Sequence, residues 1–347
     1  MKLLVLGGTR FLGRHVSELA LAAGHQLTLF HRGRSSTDLF PQAEHRLGDR
    51  DADLTSLQYG TWDAVIDTSA YFPRQVLSAA AALSGRVGHY QLVSSISVYA
   101  AFDKPGLQED APLQTLADPN EQALTGATYG GLKALCERAA MQAFGHRCLV
   151  TRPGLLVGPH DPTGRFTWWL QRAGRGGDML APGEPTAPVQ LIDARDAAAW
   201  MLLQAERRTA GVFNLTGPPA PFTIEQMLAC VRSALNKPVR LQWVAEDFLL
   251  EQGVAPWTDL PVWVPRASAG LHEVDISRAL ASGLQCRPLA QTVVDTVAWA
   301  AREEGSTATS TATGATPPAG VMPRPPVGLS AEREQALLEA WRRLKSG

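Results

Sequence analysis

The sequence predicts an α/β protein, a doubly wound parallel sheet with a smaller and discontinuous second lobe. Three observations predict it. Short apolar runs alternate with helical patterns through the first 100 residues, and strands alternating with helices make βαβ units whose parallel sheet is covered on both faces. The first apolar run ends on a glycine turn that opens a helical pattern, KLLVLGGTRFLG. Beyond the run CLVTRPGLLVG the composition changes to Gly, Pro and Trp (GPHDPTGRFTWWLQRAGRGGDMLAPGEPTAP), which suits an excursion away from the sheet.

Each element follows in order. KLLVLG reads as a buried strand, and HVSELALAAG as a helix with Val16, Leu19, Ala20 and Ala23 at helical spacing and Gly24 at its end. QLTLFHR is the next strand, and a third should precede LGDRDAD. WDAVIDTSA and HYQLVSSISVYA are two more. ATYGGLKALCERAAMQAF is a helix and CLVTRPGLLVG a sixth strand. VQLIDARDAAAWMLLQAE and GVFNLTG read as a helix and a strand returning to the sheet. These patterns assign residues 1–157 and 188–217 to the sheet domain, and 158–187 with 218–300 to the second lobe, which holds the Trp-rich loop VAPWTDLPVWVP. Residues 303–328 are a linker by composition, with almost nothing to bury. Residues 329–347 form a last helix: Ser330 caps it, Glu332 and Glu334 suit its start, and Leu337, Trp341 and Leu344 make one apolar stripe. That helix docks on its own body or on another subunit, and the sequence leaves both open.

The bulk composition excludes several classes of function. A formal net charge of −1 over 347 residues gives no field to attract nucleic acid or an anionic membrane. No apolar run approaches the ~20 residues of a membrane helix, and Leu3–Leu6 is too short for a signal peptide. Cys136, Cys148, Cys230 and Cys286 are scattered without metal-ligand spacing, as expected of reduced cysteines in a cytoplasmic protein.

The glycine turn carries the first chemistry. Gly7, Gly8 and Gly13, with Thr9, Arg10, Phe11 and Leu12 between them, sit where a dinucleotide phosphate meets bare backbone at a helix N-terminus. Arg10 stands where the usual pattern has another glycine. A fold that binds NAD places an acid near the end of its second strand, to hold the adenosine ribose. Here that strand ends in His31 and Arg32, with Arg34 close behind. A guanidinium fork suits a 2′-phosphate, so NADP is the preferred cofactor and NAD the alternative. Asp49 follows the third strand, from where its carboxylate can reach the adenine amino group.

Tyr129 and Lys133 carry the second. Their i, i+4 spacing places both on one helix face, and an ammonium beside a phenol favours the phenolate. Ser95, at the carboxyl edge of its strand, is the candidate to hydrogen-bond a reacting carbonyl oxygen, with Ser94 and Ser97 assigned to the opposite pleat. Cofactor seat, carbonyl polariser and proton donor make a complete set for hydride transfer.

With these residues the chain resembles the extended short-chain dehydrogenase/reductase superfamily, of the epimerase/dehydratase type, over roughly residues 1–300. The resemblance implies a Rossmann domain and a catalytic set of Ser95, Tyr129 and Lys133. It also implies Thr68 and Ser69 of VIDTSA at the cofactor, Pro153 and Gly154 beside the nicotinamide, and Asp193 at the core of the returning segment. GGTRF replaces the usual middle glycine, as in a subgroup of bacterial reductase/epimerase-like proteins, and chloroplast RNA-binding relatives carry a similar turn. If the second lobe covers the nicotinamide, Arg165 holds a phosphate or carboxylate, Trp168, Trp169 and Trp257 wall a ring, and Ser97 lies at the substrate; the same side chains would equally pack a small lobe. The function implied is an oxidoreductase moving hydride between NADP(H) and a substrate carbonyl/alcohol carbon. One alternative is a sugar-nucleotide epimerase or dehydratase with tightly bound NAD. Another is a non-catalytic protein that senses NADP or binds RNA. The expected partner is a small-molecule substrate, with a homodimer as an option and neither nucleic acid nor membrane.

Overall fold

The computed structural model describes residues 1–34, 38–219, 221–307 and 327–346. In chain order its strands are β1 (Lys2–Leu6), β2 (Gln26–His31), β3 (Glu44–Leu47), β4 (Trp62–Asp67), β5 (Val87–Val93), β6 (Cys148–Pro153), β7 (Leu155–Val157), β8 (Gly177–Pro182), β9 (Leu191–Asp193), β10 (Gly211–Leu215) and β11 (Val239–Val244). Its helices are α1 (Phe11–Ala22), α2 (Pro73–Ala82), α3 (Tyr129–Phe144), α4 (Arg165–Gly174), α5 (Ala194–Arg207), α6 (Ile224–Leu235), α7 (Glu246–Glu251), α8 (Ser277–Ala281), α9 (Leu289–Thr307) and α10 (Ala331–Ser346).

Seven strands form one parallel sheet in the order β10-β6-β5-β4-β1-β2-β3. The pleat of β1 explains why helices cover both faces. Leu3 and Val5 pack in the core on the side of α1 and α5, while Leu4 and Leu6 pack with Val76 of α2 and Ala139 of α3. Strand order reverses between β1 and β4, so the crevice at their carboxyl ends is where such a sheet binds ligands.

Two expected elements divide on closer view. CLVTRPGLLVG breaks at Gly154, whose N–H donates to Leu215 O at 3.1 Å; β6 stays in the main sheet, and β7 pairs with β9 instead. The expected helix from residue 189 likewise begins as strand β9. Asp193 then caps α5 by accepting from Arg195 N. A cap is a stop for the strand and a start for the helix, so both assignments share one residue.

The second lobe has its own core. Parallel strands β8 and β11, which the sequence pattern did not reveal, pack against α4, α6, α7 and α10. Residues 276–284, expected in this lobe, instead return to the sheet: Ala279 and Leu284 join its core, and Trp200 Nε1 donates to Ser282 Oγ at 3.0 Å. Helix α9 runs on to Thr307, past the expected start of the linker at 303, and residues 308–326 of that linker lie outside the described residues.

Helix α10 docks on its own chain. Glu334, in the first turn as expected, is buried in an ion pair with Arg172 and accepts from Leu180 N at 2.9 Å. Trp341 Nε1 donates to Trp243 O at 3.0 Å, and Ser330 Oγ caps the helix through Arg333 N. The apolar face differs from the expected stripe: Leu337 and Leu338 are buried, whereas Leu344 is 63% exposed. No helix among the described residues is long and apolar enough to cross a membrane.

Candidate active site

The glycine turn between β1 and α1 is close-packed. A Cβ on Gly13 would lie 2.4 Å from Gly7 O, and one on Gly7, at φ +92°, would lie 2.8 Å from Thr68 Oγ1. Only bare backbone fits there. Arg10 occupies the cap position of α1 with extended backbone, makes no side-chain cap, and is exposed; no acid stands in the first turn. The helix N-terminus therefore keeps the uncapped, positive character that suits a phosphate. The carboxyl end of β4 closes the turn from beside: Thr68 Oγ1 donates to Leu6 O at 2.9 Å and Ser69 Oγ to the same oxygen at 3.3 Å.

At the end of β2 the ring of His31 is fully engaged. Nδ1 accepts from Gly33 N at 3.1 Å, so the proton of a neutral ring sits on Nε2 and is donated to His45 Nδ1 at 2.9 Å. His45 Nε2 in turn donates to Phe40 O at 3.1 Å. Burial, with the neighbouring His45, pushes the His31 pKa down. A neutral ring with both nitrogens used has nothing left to give a 2′-phosphate, which removes His31 from the direct ligands the sequence suggested. Arg32 and Arg34 are exposed beside it. Asp49 is half-buried and its carboxylate accepts from Asp51 N at 3.1 Å.

Ser95 and Ser97 meet just past the end of β5, where the start of α3 packs on their turn. Ser95 Oγ accepts from Ser97 N and donates to Ser97 Oγ, both at 3.1 Å. Ser97 thus lies with Ser95, not opposite it: residues two apart share a strand face, and the short 3-10 helix Ile96–Val98 that follows β5 keeps the two hydroxyls together. Ser94 does point the other way, donating to buried Glu137 at 2.5 Å. Tyr129 begins α3, half-buried. A Cβ on the next residue, Gly130, would lie 2.1 Å from Ser97 O, so glycine lets the helix press onto the serine turn.

Lys133 lies one turn further along α3. Its ammonium, on a residue 3% exposed, donates to Ala70 O at 2.7 Å and Val93 O at 2.5 Å, and lies 5.6 Å from the centre of the Tyr71 ring. The Tyr71 ring is in turn 6.5 Å from that of Tyr129. Burial pushes the Lys133 pKa down. Sequence reasoning missed Tyr71; its place four residues after Asp67 was the available signal. Behind these groups Arg152 pairs with Glu137 at 2.7 Å, and Tyr99 OH donates to Asn214 Oδ1 at 2.6 Å. Pro153 is buried and Gly154 half-buried at the junction of β6 and β7.

The suggested substrate residues lie in the second lobe and do not form one wall. The Arg165 guanidinium lies 5.4 Å from the centre of the Trp257 ring. Trp168 packs edge-on to fully buried Trp169, at 4.7 Å, and against Gly328. Trp169 Nε1 donates to Pro261 O. Asp193 is held by Arg195 and Thr292, as a cap rather than a reactive group. A cavity of about 430 Å³ in this lobe has Val189, Ile224, Val262, Trp263 and His272 in its wall and Glu184, Glu246, Asp247 and Arg266 among its charges. A larger open groove of about 770 Å³ runs past Tyr59 and Arg86. Neither is lined by Ser95, Tyr129 or Lys133. Among the described residues no cluster could hold a metal ion, and all four cysteines are free.

Comparison with known proteins bears on the fold. The chain is 28% identical over 235 residues to the chloroplast stem-loop binding protein of 41 kDa b from Arabidopsis thaliana; the aligned part is 62% of this chain and 58% of that protein. The fold is shared with UDP-N-acetylglucosamine 4-epimerase from Bacillus cereus (TM-score 0.64, 18% identity, 86% of this chain and 99% of that one). It is shared equally with UDP-glucuronic acid 4-epimerase from Bacillus cereus in complex with NAD (TM-score 0.64, 16% identity, 86% and 96%). The stretch from β4 to the end of β10, residues 61–216, matches the model of the NAD dependent epimerase/dehydratase family.

Proposed function

We propose that the protein is an oxidoreductase of the epimerase/dehydratase type that moves hydride between NADP(H) and a substrate carbonyl/alcohol carbon. The observation that carries this reading is the packing of α3 onto the Ser95–Ser97 turn at Gly130, the residue after Tyr129, at the carboxyl edge of the sheet. The glycine turn, Asp49, Thr68, Ser69, Pro153 and Gly154 would hold the dinucleotide, which supplies or accepts the hydride when bound. Ser95 Oγ turns from Ser97 to donate to the substrate oxygen, and Tyr129 exchanges the proton with that oxygen. Lys133 has two of its three N–H bonds fixed on Ala70 O and Val93 O, which leaves one for a ribose hydroxyl. Its charge favours the phenolate of Tyr129 across the Tyr71 ring.

NADP rather than NAD is supported by the absence of an acid at the end of β2 and by exposed Arg10, Arg32 and Arg34 near that edge. The NAD in the UDP-glucuronic acid 4-epimerase complex keeps the second cofactor in play. Free, scattered cysteines support a cytoplasmic setting. Replacing Tyr129 by Phe should lower turnover by about a thousandfold or more while leaving NADPH affinity unchanged; full activity in that variant removes the mechanism. Calorimetric titration with NADPH, NADP, NADH and NAD, followed by a screen of carbonyl compounds with whichever binds, tests cofactor and reaction together. Similarity to a stem-loop binding protein favours one second reading, RNA binding on the same fold. Salt-dependent retention of RNA with no reductase activity would make it the better one.

A further inference from the structure

We infer that Arg50, which no sequence motif singles out, is a positioning residue for the dinucleotide: it holds Asp49 and the Thr68–Ser69 turn in register with the glycine turn. The inference rests on the functional reading above, because it requires a dinucleotide in that crevice.

Arg50 directly follows Asp49 in the loop after β3, and its guanidinium is buried among three elements of the sheet domain. Nη1 donates to Asp67 Oδ1 and to Ser69 Oγ, each at 2.8 Å. Nη2 donates to Asp67 Oδ2 at 2.8 Å and reaches Gln75 O at 3.3 Å. Asp67 is fully buried at the end of β4, and Tyr90 OH of β5 donates to its Oδ2 at 2.7 Å. Burial drives the Asp67 carboxyl up, but the charge and hydrogen bonds of Arg50 outweigh it and hold its pKa below the ordinary range.

The chain of contacts continues to the phosphate turn. Ser69 Oγ accepts from Arg50 and donates to Leu6 O, the last carbonyl of β1 before Gly7. Thr68 and Ser69 side chains are also the nearest atoms to the space where a Gly7 Cβ would be. On the other flank, the Gln75 amide holds the Asp51 carboxylate at 2.9 and 3.0 Å, which fixes the turn that carries Asp49. Lys133 grips the same segment one residue on, at Ala70 O. Asp49, the Thr68–Ser69 turn and the glycine turn therefore cannot shift independently while Arg50 is in place.

The geometry is a poor device for stability alone. Buried ion pairs add little over apolar replacements, and Arg50 Nε is buried without a partner, which costs stability. What the fork supplies is direction: two parallel bonds to one carboxylate and a third to Ser69, which a lysine cannot copy.

The test uses the full chain and three probes, ADP-ribose, NADH and NADPH, with the melting midpoint of the free protein measured alongside. Arg50→Lys should weaken all three by about tenfold, the scale of a lost charged hydrogen bond. Because Arg50 acts through Ser69, Arg50→Lys should weaken ADP-ribose less in a Ser69→Ala background than in the wild type. A lowered melting midpoint with wild-type affinity for all three would overturn the proposal and leave an ordinary core ion pair. If Arg50→Lys does not fold, Ser69→Ala decides alone: wild-type ADP-ribose affinity in that variant overturns it. A wild-type protein that binds none of the three refutes the functional reading itself, and the inference falls with it.

Discussion

The sheet domain and the second lobe both bury an arginine against a carboxylate, yet the pairs sit in different company. Arg50–Asp67 lies at the carboxyl end of β4, with Ser69, Gln75 and Tyr90 completing its bonds beside the candidate cofactor seat. Arg172–Glu334 lies between α4 and α10, where Glu334 also takes Leu180 N and Arg172 Nη1 donates to Gly176 O. The first pair joins loops that converge on a ligand crevice. The second fastens a helix that comes from the far end of the chain onto an apolar core that includes Leu337 and Leu338. The same chemistry thus positions a site in one region and closes a lobe in the other.

The largest effect that would sharpen this contrast is on stability. Glu334→Ala leaves the Arg172 charge buried without its partner, which should cost about 3–5 kcal/mol and lower the melting midpoint sharply. NADPH affinity should stay at the wild-type value, because Glu334 bonds Arg172 and Leu180 N within the second lobe. Calorimetric unfolding with and without NADPH checks both halves. A loss of NADPH affinity to match the loss of stability would break the distinction between the two regions.

Acid should act on both regions, with a smaller effect than the buried charge. His31 and His89 in the sheet domain and His272 in the lobe have pKa values pushed down, burial being the largest cause in each. His160, on the loop after β7, is pushed down to about 4 by burial and by the charges of Arg14 and His15. Each of these groups binds protons less readily folded than unfolded, where the value is 6.5. Their contribution is therefore complete above pH 6.5 and is lost as pH falls through the folded values. Melting midpoints measured from pH 8 to pH 4 should be flat at first and then decline below about 6.5. His272 is held by Gln190 N and Val262 O inside the lobe, so His272→Gln should flatten part of the decline without changing NADPH affinity. An unchanged slope in that variant would assign the acid response to His31, His89 and His160.

Legibility from sequence follows the same division. The glycine turn and the glycine that follows Tyr129 rest on backbone demands that few residue types meet, such as Gly13 against Gly7 O and Gly130 against Ser97 O. Such demands leave motifs. The opposite pleat assigned to Ser97 did not survive: residues two apart share a face, and in the turn after Val93 the Ser95 and Ser97 hydroxyls bond each other. Arg50 and Tyr71 stayed hidden because their roles depend on partners up to 62 residues away, as from Tyr71 to Lys133. In the lobe, Trp168 and Trp169 looked equally suited to a ligand or a core, and Trp169 proved fully buried with its N–H on Pro261 O. Apolar packing uses interchangeable side chains, so nothing in the local pattern marks β8 and β11 as partners or Glu334 as buried.

The smallest effect tests the residue most out of place in the glycine turn. Arg10 is exposed, with extended backbone at φ −133°, and its side chain makes no cap to the helix it precedes. Glycine is tolerated at such a position, so Arg10→Gly removes the charge and little else. If Arg10 helps to seat a 2′-phosphate, the variant should weaken NADPH by about fivefold, the scale of an exposed ion pair, and NADH hardly at all. The difference should shrink as salt is raised, since screening acts on exposed charges first. Equal weakening of both dinucleotides, insensitive to salt, would mean that Arg10 only shapes the turn. The preference for NADP would then have to come from Arg32 and Arg34.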